Sequence, residues 1–181
     1  MFDEVLRPAL VEVGDRWVDG SLTVGQEHEI SELARDLIAE LSLRHAEPDP
    51  LRPVVVAACI AGELHDLGLR MVCGILRERG ARVHFLGANV SPAFLSESVR
   101  QRQPDVVLLS ISLETHISSL RETIATLRSN PGGQPRARIL VGGEGCVHDR
   151  DELSTESVMV VTERRLEDIA EAILASAVPA A

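Results

Sequence analysis

The sequence contains no lysine, so arginine supplies all 18 of its basic side chains. They are outnumbered by 28 acidic side chains, which gives a formal net charge of −10 at pH 7, and no cluster of five basic residues occurs. A protein that binds DNA or RNA directly needs a basic surface to displace the counterions of the phosphates. We therefore predict that this chain has no direct nucleic-acid partner.

Cysteine is also scarce, and the three present, Cys59, Cys73 and Cys146, include no Cys-x-x-Cys pair. A small odd number favours a reducing compartment over a disulfide framework, so we predict a cytoplasmic protein. No apolar run is long enough to span a bilayer and the first residues do not resemble a signal peptide, which predicts no membrane partner. Aromatic side chains make up only 2% of the chain, which predicts an aliphatic core.

The first quarter of the sequence has helical periodicity. Two amphipathic helices are predicted before residue 45, and Thr23 or Ser21 is placed to cap the second. Three prolines over 46–53 predict a linker. We therefore divide the chain into a two-helix cap (1–45), a linker (46–53) and a second domain (54–181). The apolar faces predicted for the cap hold Val5, Leu6, Leu10, Val13 and Trp17, then Ile30, Leu33, Leu37, Ile38 and Leu41.

From residue 54 onward, short valine-rich runs alternate with helical segments. Such alternation is typical of parallel strands joined by right-handed helical crossovers. We predict an α/β fold with a flavodoxin-like five-stranded parallel sheet, preceded by the cap. In such sheets ligands bind beyond the carboxyl ends of the strands. The predicted strands are 54–60, 81–86, 106–111, 138–141 and 158–161.

Three loops at that edge of the predicted sheet have an unusual composition. The first edge loop, 62–68, reads Gly-Glu-Leu-His-Asp-Leu-Gly; the second, 110–115, reads Ser-Ile-Ser-Leu-Glu-Thr; the third, 142–145, reads Gly-Gly-Glu-Gly. Each follows a predicted strand, so the three are expected to meet at one edge. His84, His116 and His148 are predicted to be solvated.

The histidine of the first edge loop, His65, has carboxylates on both sides. It could simply cap the next helix or face water. It could also ligate a transition metal, with Glu63 or Asp66 bonded to its second ring nitrogen. No second ligand set with zinc-like spacing accompanies it, so such a metal would have to bring most of its own ligands.

Taken in order, the three edge loops resemble the motifs of the cobalamin-binding domain family, which are Asp-x-His-x-x-Gly, Ser-x-Leu and Gly-Gly. This chain has glutamate in place of the aspartate. The resemblance implies a cobalamin cofactor, in the adenosyl or methyl form, with His65 as the lower axial ligand of cobalt. It also implies a slot for the displaced nucleotide tail, kept open by Gly68, with Ser110 or Ser112 bonded to the tail. The residues implied in cofactor binding are Glu63, His65, Asp66, Leu67, Gly68, Ser110, Ser112, Leu113, Gly142 and Gly143.

The cap resembles a narrower family, the CarH-type cobalamin-dependent photoreceptors that regulate transcription. Trp17 is followed ten residues later by Glu27 and His28. The resemblance implies that Trp17 lies over the corrin and that Glu27 and His28 meet an adenosyl group. Taken alone, the three could be a core residue and two solvated ones. Val18 stands where that family often has a cobalt-capturing histidine, and we expect no DNA-binding domain in these 181 residues.

Three functions remain open. The first is a cobalamin-binding sensory or regulatory protein, responsive to light or to cobalamin and acting through a partner protein. The second is a corrinoid carrier of methyl groups for a methyltransferase; the third, a mutase subunit, would need a substrate barrel from another chain. The predicted cap favours the first, because a carrier must expose the upper face of its cofactor. In none of these is the chain predicted to be an enzyme alone.

Since two helices cannot enclose an apolar face, a homodimer or a regulatory partner is expected at residues 2–44.

Overall fold

The computed structural model describes residues 1–42, 48–129, 137–155 and 157–177. A π-helical turn, Phe2–Leu6, leads into the first helix, and 3₁₀ turns lie at Glu114–His116 and Glu144–Cys146. The helices and strands are α1 (Arg7–Val18), α2 (Val24–Ser42), β1 (Val54–Cys59), α3 (Leu67–Glu78), β2 (Arg82–Phe85), α4 (Pro92–Arg102), β3 (Val106–Ser110), α5 (Ile117–Arg128), β4 (Arg138–Gly142), α6 (Arg150–Leu153), β5 (Val158–Val160) and α7 (Leu166–Ser176).

The five strands form one parallel sheet in the order β2-β1-β3-β4-β5. This is the strand order of flavodoxin-like folds, so the predicted fold class is confirmed. All five predicted strands agree with the observed ones to within one residue at each end. The agreement follows from burial of the inner strands on both faces: β1, which lies between β2 and β3, is almost wholly buried, as its valine-rich sequence predicts.

Alternate residues of β1 point into two cores. Val56 and Ala58 belong to the core under α4 and α5, whereas Val55 and Ala57 belong to the core under α3 and α7. The second core also receives Ile38 of α2, with three partly buried residues near the start of the chain, Phe2, Leu6 and Leu10. The two cap helices therefore pack on the α3 and α7 side of the sheet.

The apolar faces predicted for the cap are only partly correct. Leu6, Leu10 and Ile38 do pack inward, but Trp17 and Leu33 are 49% and 68% exposed. The docked face is set by the surface of α3, where Gly74 lacks a side chain. A Cβ at Gly74 would lie 3.2 Å from the Phe2 ring, so the glycine lets the cap approach closely.

Asp3 joins the two ends of the described chain. Its carboxylate accepts hydrogen bonds from the backbone N–H groups of Leu166 (2.9 Å) and Glu167 (3.1 Å), at the start of α7. The residue that precedes α7 in sequence, Arg165, makes no capping bond with its side chain. A residue from the other end of the chain therefore satisfies these two otherwise unpaired donors.

The predicted cap of the second helix is resolved in favour of Thr23. The Gln26 N–H donates to Thr23 Oγ1 (3.3 Å), and the Thr23 N–H donates back to Gln26 Oε1 (3.0 Å), a reciprocal capping arrangement. Of the predicted linker, residues 48–53 have no helix or strand, and 46–47 lie outside the described residues. Within the ranges described above, no helix is long and apolar enough to cross a membrane.

Candidate functional site

The first edge loop leaves β1 in a conformation fixed by its neighbours. Gly62 has a φ of +88°, a region that glycine adopts readily, and its N–H donates to Asn89 Oδ1 at 2.9 Å. The Asn89 N–H in turn donates to the Glu63 carbonyl oxygen at 2.9 Å. These bonds turn the Glu63 side chain inward, where it is completely buried.

Glu63 orients the histidine of the same loop. Its Oε1 accepts the backbone N–H of His65 (2.8 Å) and lies 2.6 Å from His65 Nδ1. Since an ionised carboxylate only accepts hydrogen bonds, Nδ1 is the protonated nitrogen and Nε2 keeps its lone pair. The His65 side chain is 64% exposed, so that lone pair is available to a ligand.

The second oxygen of Glu63 binds the second edge loop. Glu63 Oε2 accepts the N–H of Ser112 at 2.5 Å, so the carboxylate spans two loops. The extra methylene of glutamate relative to aspartate gives the reach for this bridge. Burial alone would raise the pKa of Glu63, but the bonds from Ser112 and His65 outweigh it and hold the pKa below its ordinary value.

Asp66, the other carboxylate beside His65, contacts different partners. Its two oxygens bind Arg70 of α3 (2.7 Å) and Arg35 of α2 (3.1 Å). The alternatives left open for the partner of the imidazole are therefore resolved in favour of Glu63. Asp66 instead connects the residue after His65 to the helical cap.

The glycines of the edge loops differ in what they permit. A Cβ on Gly68 would meet nothing within 4 Å, so the space beside the start of α3 is open at this position. On Gly143, whose φ is +113°, a Cβ would lie 2.0 Å from the carbonyl oxygen of Ile111. On Gly145 it would lie 2.7 Å from the backbone of Leu113. Gly143 and Gly145 thus let the second and third edge loops pack against each other, whereas at Gly142 a Cβ would meet only ordinary contact.

An open hollow lies between the second and third edge loops. At the rim of the hollow, Glu114 of the second edge loop pairs with His148, which lies three residues after the third edge loop. The His148 side chain is 80% exposed, as predicted. Ser112 lines the hollow, while Ser110 is not part of its wall. The lining residues are Ser112, Leu113, Glu114, Thr115, Glu144, Val147 and His148.

Trp17, Glu27 and His28 lie where α1 and α2 meet. Glu27 accepts a hydrogen bond from the Ser31 hydroxyl (2.7 Å) and contacts His28 Nδ1 (2.7 Å). The hydrogen bond from Ser31 is the main cause that lowers the pKa of Glu27. His28 is 74% exposed. Across the part of the chain that the structure describes, no hydrogen bond or ion pair joins these three side chains to the first edge loop.

The prediction that His116 is solvated is wrong. Its side chain is only 23% exposed, because the 3₁₀ turn before α5 places the ring against Gly62. Its Nδ1 is 3.7 Å from Glu63 Oε2. The only feature of the sequence that could have indicated a role for His116 was its position near the sheet edge. Sequence analysis also missed the contacts of Asn89 and Arg35, for which no sequence feature gave an indication.

The arrangement suits a metal that arrives with most of its ligands. It offers one oriented imidazole nitrogen beside the open space at Gly68. Within the described ranges, no group of three or more His, Cys, Asp and Glu side chains could hold a metal ion by itself. The chemistry of the donor set therefore fits a corrin-bound cobalt.

Two family models match this chain, and both are described as a B12 binding domain. One matches residues 53–174, which contain all three edge loops. The other matches residues 1–42, which form the cap.

Curated proteins of two kinds are similar in sequence. The HTH-type transcriptional repressor CarH of Myxococcus xanthus is 39% identical over 143 residues, which is 78% of this chain and 46% of that protein. CarA, another HTH-type transcriptional repressor of M. xanthus, is 38% identical over 60% of this chain and 35% of its own length. Dimethylamine corrinoid protein 3 of Methanosarcina acetivorans is 28% identical over 50% of this chain and 42% of that protein. The chain thus spans less than half the length of these relatives.

Solved structures show the same fold. The monomethylamine corrinoid protein of Methanosarcina barkeri superposes with a TM-score of 0.67 at 18% identity, covering 92% of this chain and 77% of that one. A cobalamin-binding protein from Desulfitobacterium hafniense gives a TM-score of 0.59 at 20% identity with the same coverage.

Proposed function

The chain belongs to the B12-binding domain family, and from that premise we propose that it is a sensory or regulatory cobalamin protein that acts through a partner protein. In this proposal His65 is the lower axial ligand of cobalt. The observation that carries the proposal is the pairing of an exposed His65 ring with a buried Glu63 carboxylate at 2.6 Å. Bound cobalamin supplies a cobalt–carbon bond that light or a partner can break.

His65 and Glu63 act together as a preset ligand. Glu63 holds the Nδ1 proton and so keeps the lone pair on Nε2, directed away from the carboxylate. A carboxylate partner raises the basicity of an imidazole ligand and fixes its orientation. Because Glu63 is held by backbone donors from two loops, His65 needs little reorganisation to bind a metal.

The nucleotide tail of cobalamin is assigned to the space that starts above Gly68 and continues along the second edge loop. Ser112 and Leu113 line the hollow between the second and third edge loops, and the backbone N–H of Ser112 is already bonded to Glu63. Its hydroxyl group is therefore the serine group that we propose for the tail, in preference to Ser110. Leu67, Gly142 and Gly143 remain proposed contacts on the sequence resemblance.

The cap is proposed to cover the upper face of the corrin. Trp17 would exclude water there, and the Glu27–His28 pair would meet an adenosyl group. Half of the Trp17 surface is free to contact a ligand. Trp17→Ala should then change the preference among adenosyl-, methyl- and hydroxocobalamin more than it changes the free energy of unfolding. Titration of each form into both proteins, in darkness and after green light, tests this role.

The regulatory function is preferred over the methyl carrier because of the extent of the similarity. The match to CarH is longer than residues 53–181, so it includes part of the cap, whereas the corrinoid protein matches only half of the chain. These relatives are named as repressors and corrinoid proteins, in keeping with the prediction that the chain is not an enzyme alone. The carrier remains the alternative if Trp17→Ala leaves the ligand preference unchanged and light alters neither spectrum nor assembly.

A homodimer through the cap is the proposed assembly. Apart from Trp17, the cap helices hold several apolar side chains that are more than 40% exposed, which leaves an apolar surface after the cap has docked; among them are Val11, Val18, Leu33 and Leu37. In sedimentation, wild-type protein should be dimeric, and the Leu33→Glu variant should be shifted towards monomers. Glu29→Gln, on the same helix, is the control and should sediment as wild type does. Wild-type protein that stays monomeric at high concentration, with and without cobalamin, excludes the dimer.

The ligand assignment is tested by reconstitution with adenosylcobalamin. Wild-type protein should show histidine coordination in its absorption spectrum, and green illumination should change that spectrum. His65→Ala should lose the coordination and bind cobalamin more weakly, while Leu64→Ala, at the exposed neighbouring position, should behave as wild type. Equal affinity and identical spectra for His65→Ala and wild type would remove His65 from the proposal.

A further inference from the structure

A second histidine faces the carboxylate that orients His65. His116 directly follows the second edge loop, at the end of the 3₁₀ turn, where its N–H donates to the Leu113 carbonyl oxygen at 3.0 Å. Its ring rests on Gly62: a Cβ there would be 3.4 Å from Cδ2 and Nε2 of the imidazole. Two loops therefore hold the ring beside Glu63.

The Nδ1 atom of His116 is buried and has no hydrogen-bond partner among the described residues. Leaving such a nitrogen unpaired costs about 1–3 kcal/mol, so its position calls for an explanation. The facing acceptor is Glu63 Oε2, at 3.7 Å. A movement of less than about 1 Å would bring the two atoms to hydrogen-bond distance.

Glu63 Oε2 has room for this second donor. It accepts one hydrogen bond, from the Ser112 N–H, and a carboxylate oxygen can accept two. The other oxygen already accepts both donors of His65. His116 would thus complete the set of donors around a carboxylate that has no access to water.

We propose that His116 is a positioning residue that acts through Glu63 and weakens the His65 ligand. The proposal rests on the proposed function, in which His65 binds cobalt. In it, His116 carries its proton on Nδ1 and directs it at Oε2. Each donor on the carboxylate draws charge from it, so Glu63 pulls less strongly on the His65 Nδ1 proton. His65 is then a weaker donor to cobalt and is more easily exchanged, as a sensor that changes its ligands requires.

The sign of the effect separates this role from a purely structural one. His116→Phe keeps a ring on Gly62 but removes the donor, so Glu63 should polarise His65 more strongly. A stronger nitrogen donor favours Co(III) over Co(II), and the midpoint potential should fall. A tenfold change in the relative affinity of His65 for the two states, the lower end for an outer partner, corresponds to about 59 mV. A variant that merely disturbed the loop would loosen His65 and raise the potential.

The experiment compares midpoint potentials of the cobalamin-loaded proteins. His116→Gln, which keeps a donor, should stay close to wild type, and so should Ser118→Ala, an exposed control on α5. In a Glu63→Gln background, His116→Phe should cause no further shift, because the path through the carboxylate is gone. A potential that is unchanged or higher in His116→Phe overturns the inference, as does an equal shift in the Glu63→Gln background.

A separate measurement distinguishes failure of the His116 inference from failure of the proposed function. Wild-type protein labelled with ¹⁵N-histidine and loaded with cob(II)alamin should show a two-line splitting from the ¹⁵N ligand in its electron paramagnetic resonance spectrum. If that splitting is absent, the ligand assignment of His65 fails, and the inference fails with it. If the splitting is present and the potentials do not move, only the role of His116 falls.

Discussion

Replacing Glu63 with glutamine removes the charge at the centre of the site and changes its shape very little. The wild-type carboxylate accepts three hydrogen bonds: two from His65 on one oxygen and one from Ser112 on the other. An amide has only one acceptor oxygen. Its NH₂ group must therefore face either the two donors of His65 or the single donor of Ser112.

The less costly orientation places the amide oxygen toward His65. The Ser112 N–H then faces another donor, and a buried donor without an acceptor costs about 1–3 kcal/mol. The bonds to His65 also lose their ionic character, which roughly halves their strength. Removing a buried charge offsets part of this loss. We expect Glu63→Gln to lower the free energy of unfolding by about 2–3 kcal/mol at pH 7 in the cofactor-free protein.

The effect should depend on pH with a defined sign. The hydrogen bonds hold the folded-state pKa of Glu63 below its ordinary value. A carboxyl group with a lowered pKa stabilises the fold fully above its unfolded value of about 4.3, and this contribution is lost as the pH falls through the folded-state pKa. The difference between wild type and Glu63→Gln should therefore shrink on acidification below about pH 4.

Urea unfolding followed by far-UV circular dichroism, at pH 7 and at a series of pH values below 4.5, measures both effects. Glu122→Gln, on the exposed side of α5, is the matched control and should unfold as wild type does. Equal unfolding free energies for the two variants would show that Glu63 does not hold the loops together. A difference that stays constant through the acid range would refute the charge-based explanation.

Four further substitutions test other parts of the structure. Asp66→Asn should weaken the contact with Arg35 and speed hydrogen exchange of the α2 amides, while those of α5 keep their rates. Gly145→Ala should lower stability by about 1–3 kcal/mol in thermal unfolding because its Cβ meets backbone at 2.7 Å. Gly68→Ala, whose Cβ meets open space, should leave stability unchanged and weaken cobalamin binding in an equilibrium titration. Asp3→Ala should cost about 1 kcal/mol of unfolding free energy in urea through loss of a helix cap.

The fold was predictable from the sequence because its inner strands are buried on both faces. A run such as residues 54–60 is short, continuously apolar and rich in valine, and it alternates with helical segments, which together favour a buried strand of a parallel sheet. The docked faces of α1 and α2 were not predictable in the same way. They depend on the shape of α3, where Gly74 admits Phe2, and a hydrophobic pattern within one helix does not report the surface of another.

In the site, contiguous motifs gave good predictions and long-range contacts did not. The first edge loop offered Glu63 and Asp66 as alternative partners of His65, and the structure shows the contact with Glu63. The approach of His116 to Glu63 joins residues from two different segments of the chain, and the sequence of neither segment indicates that the two side chains meet. The contact between Arg35 and Asp66 joins two different parts of the chain for the same reason.

The bond between Asp3 and α7 has a consequence for the order of folding. The two partners are 163 residues apart in sequence, so the entropy of loop closure disfavours their contact until the intervening chain is compact. The sheet and its crossovers are built from nearer neighbours and can form first. Protection of the Leu166 and Glu167 amide protons from hydrogen exchange therefore reports when the start of the chain has docked on α7.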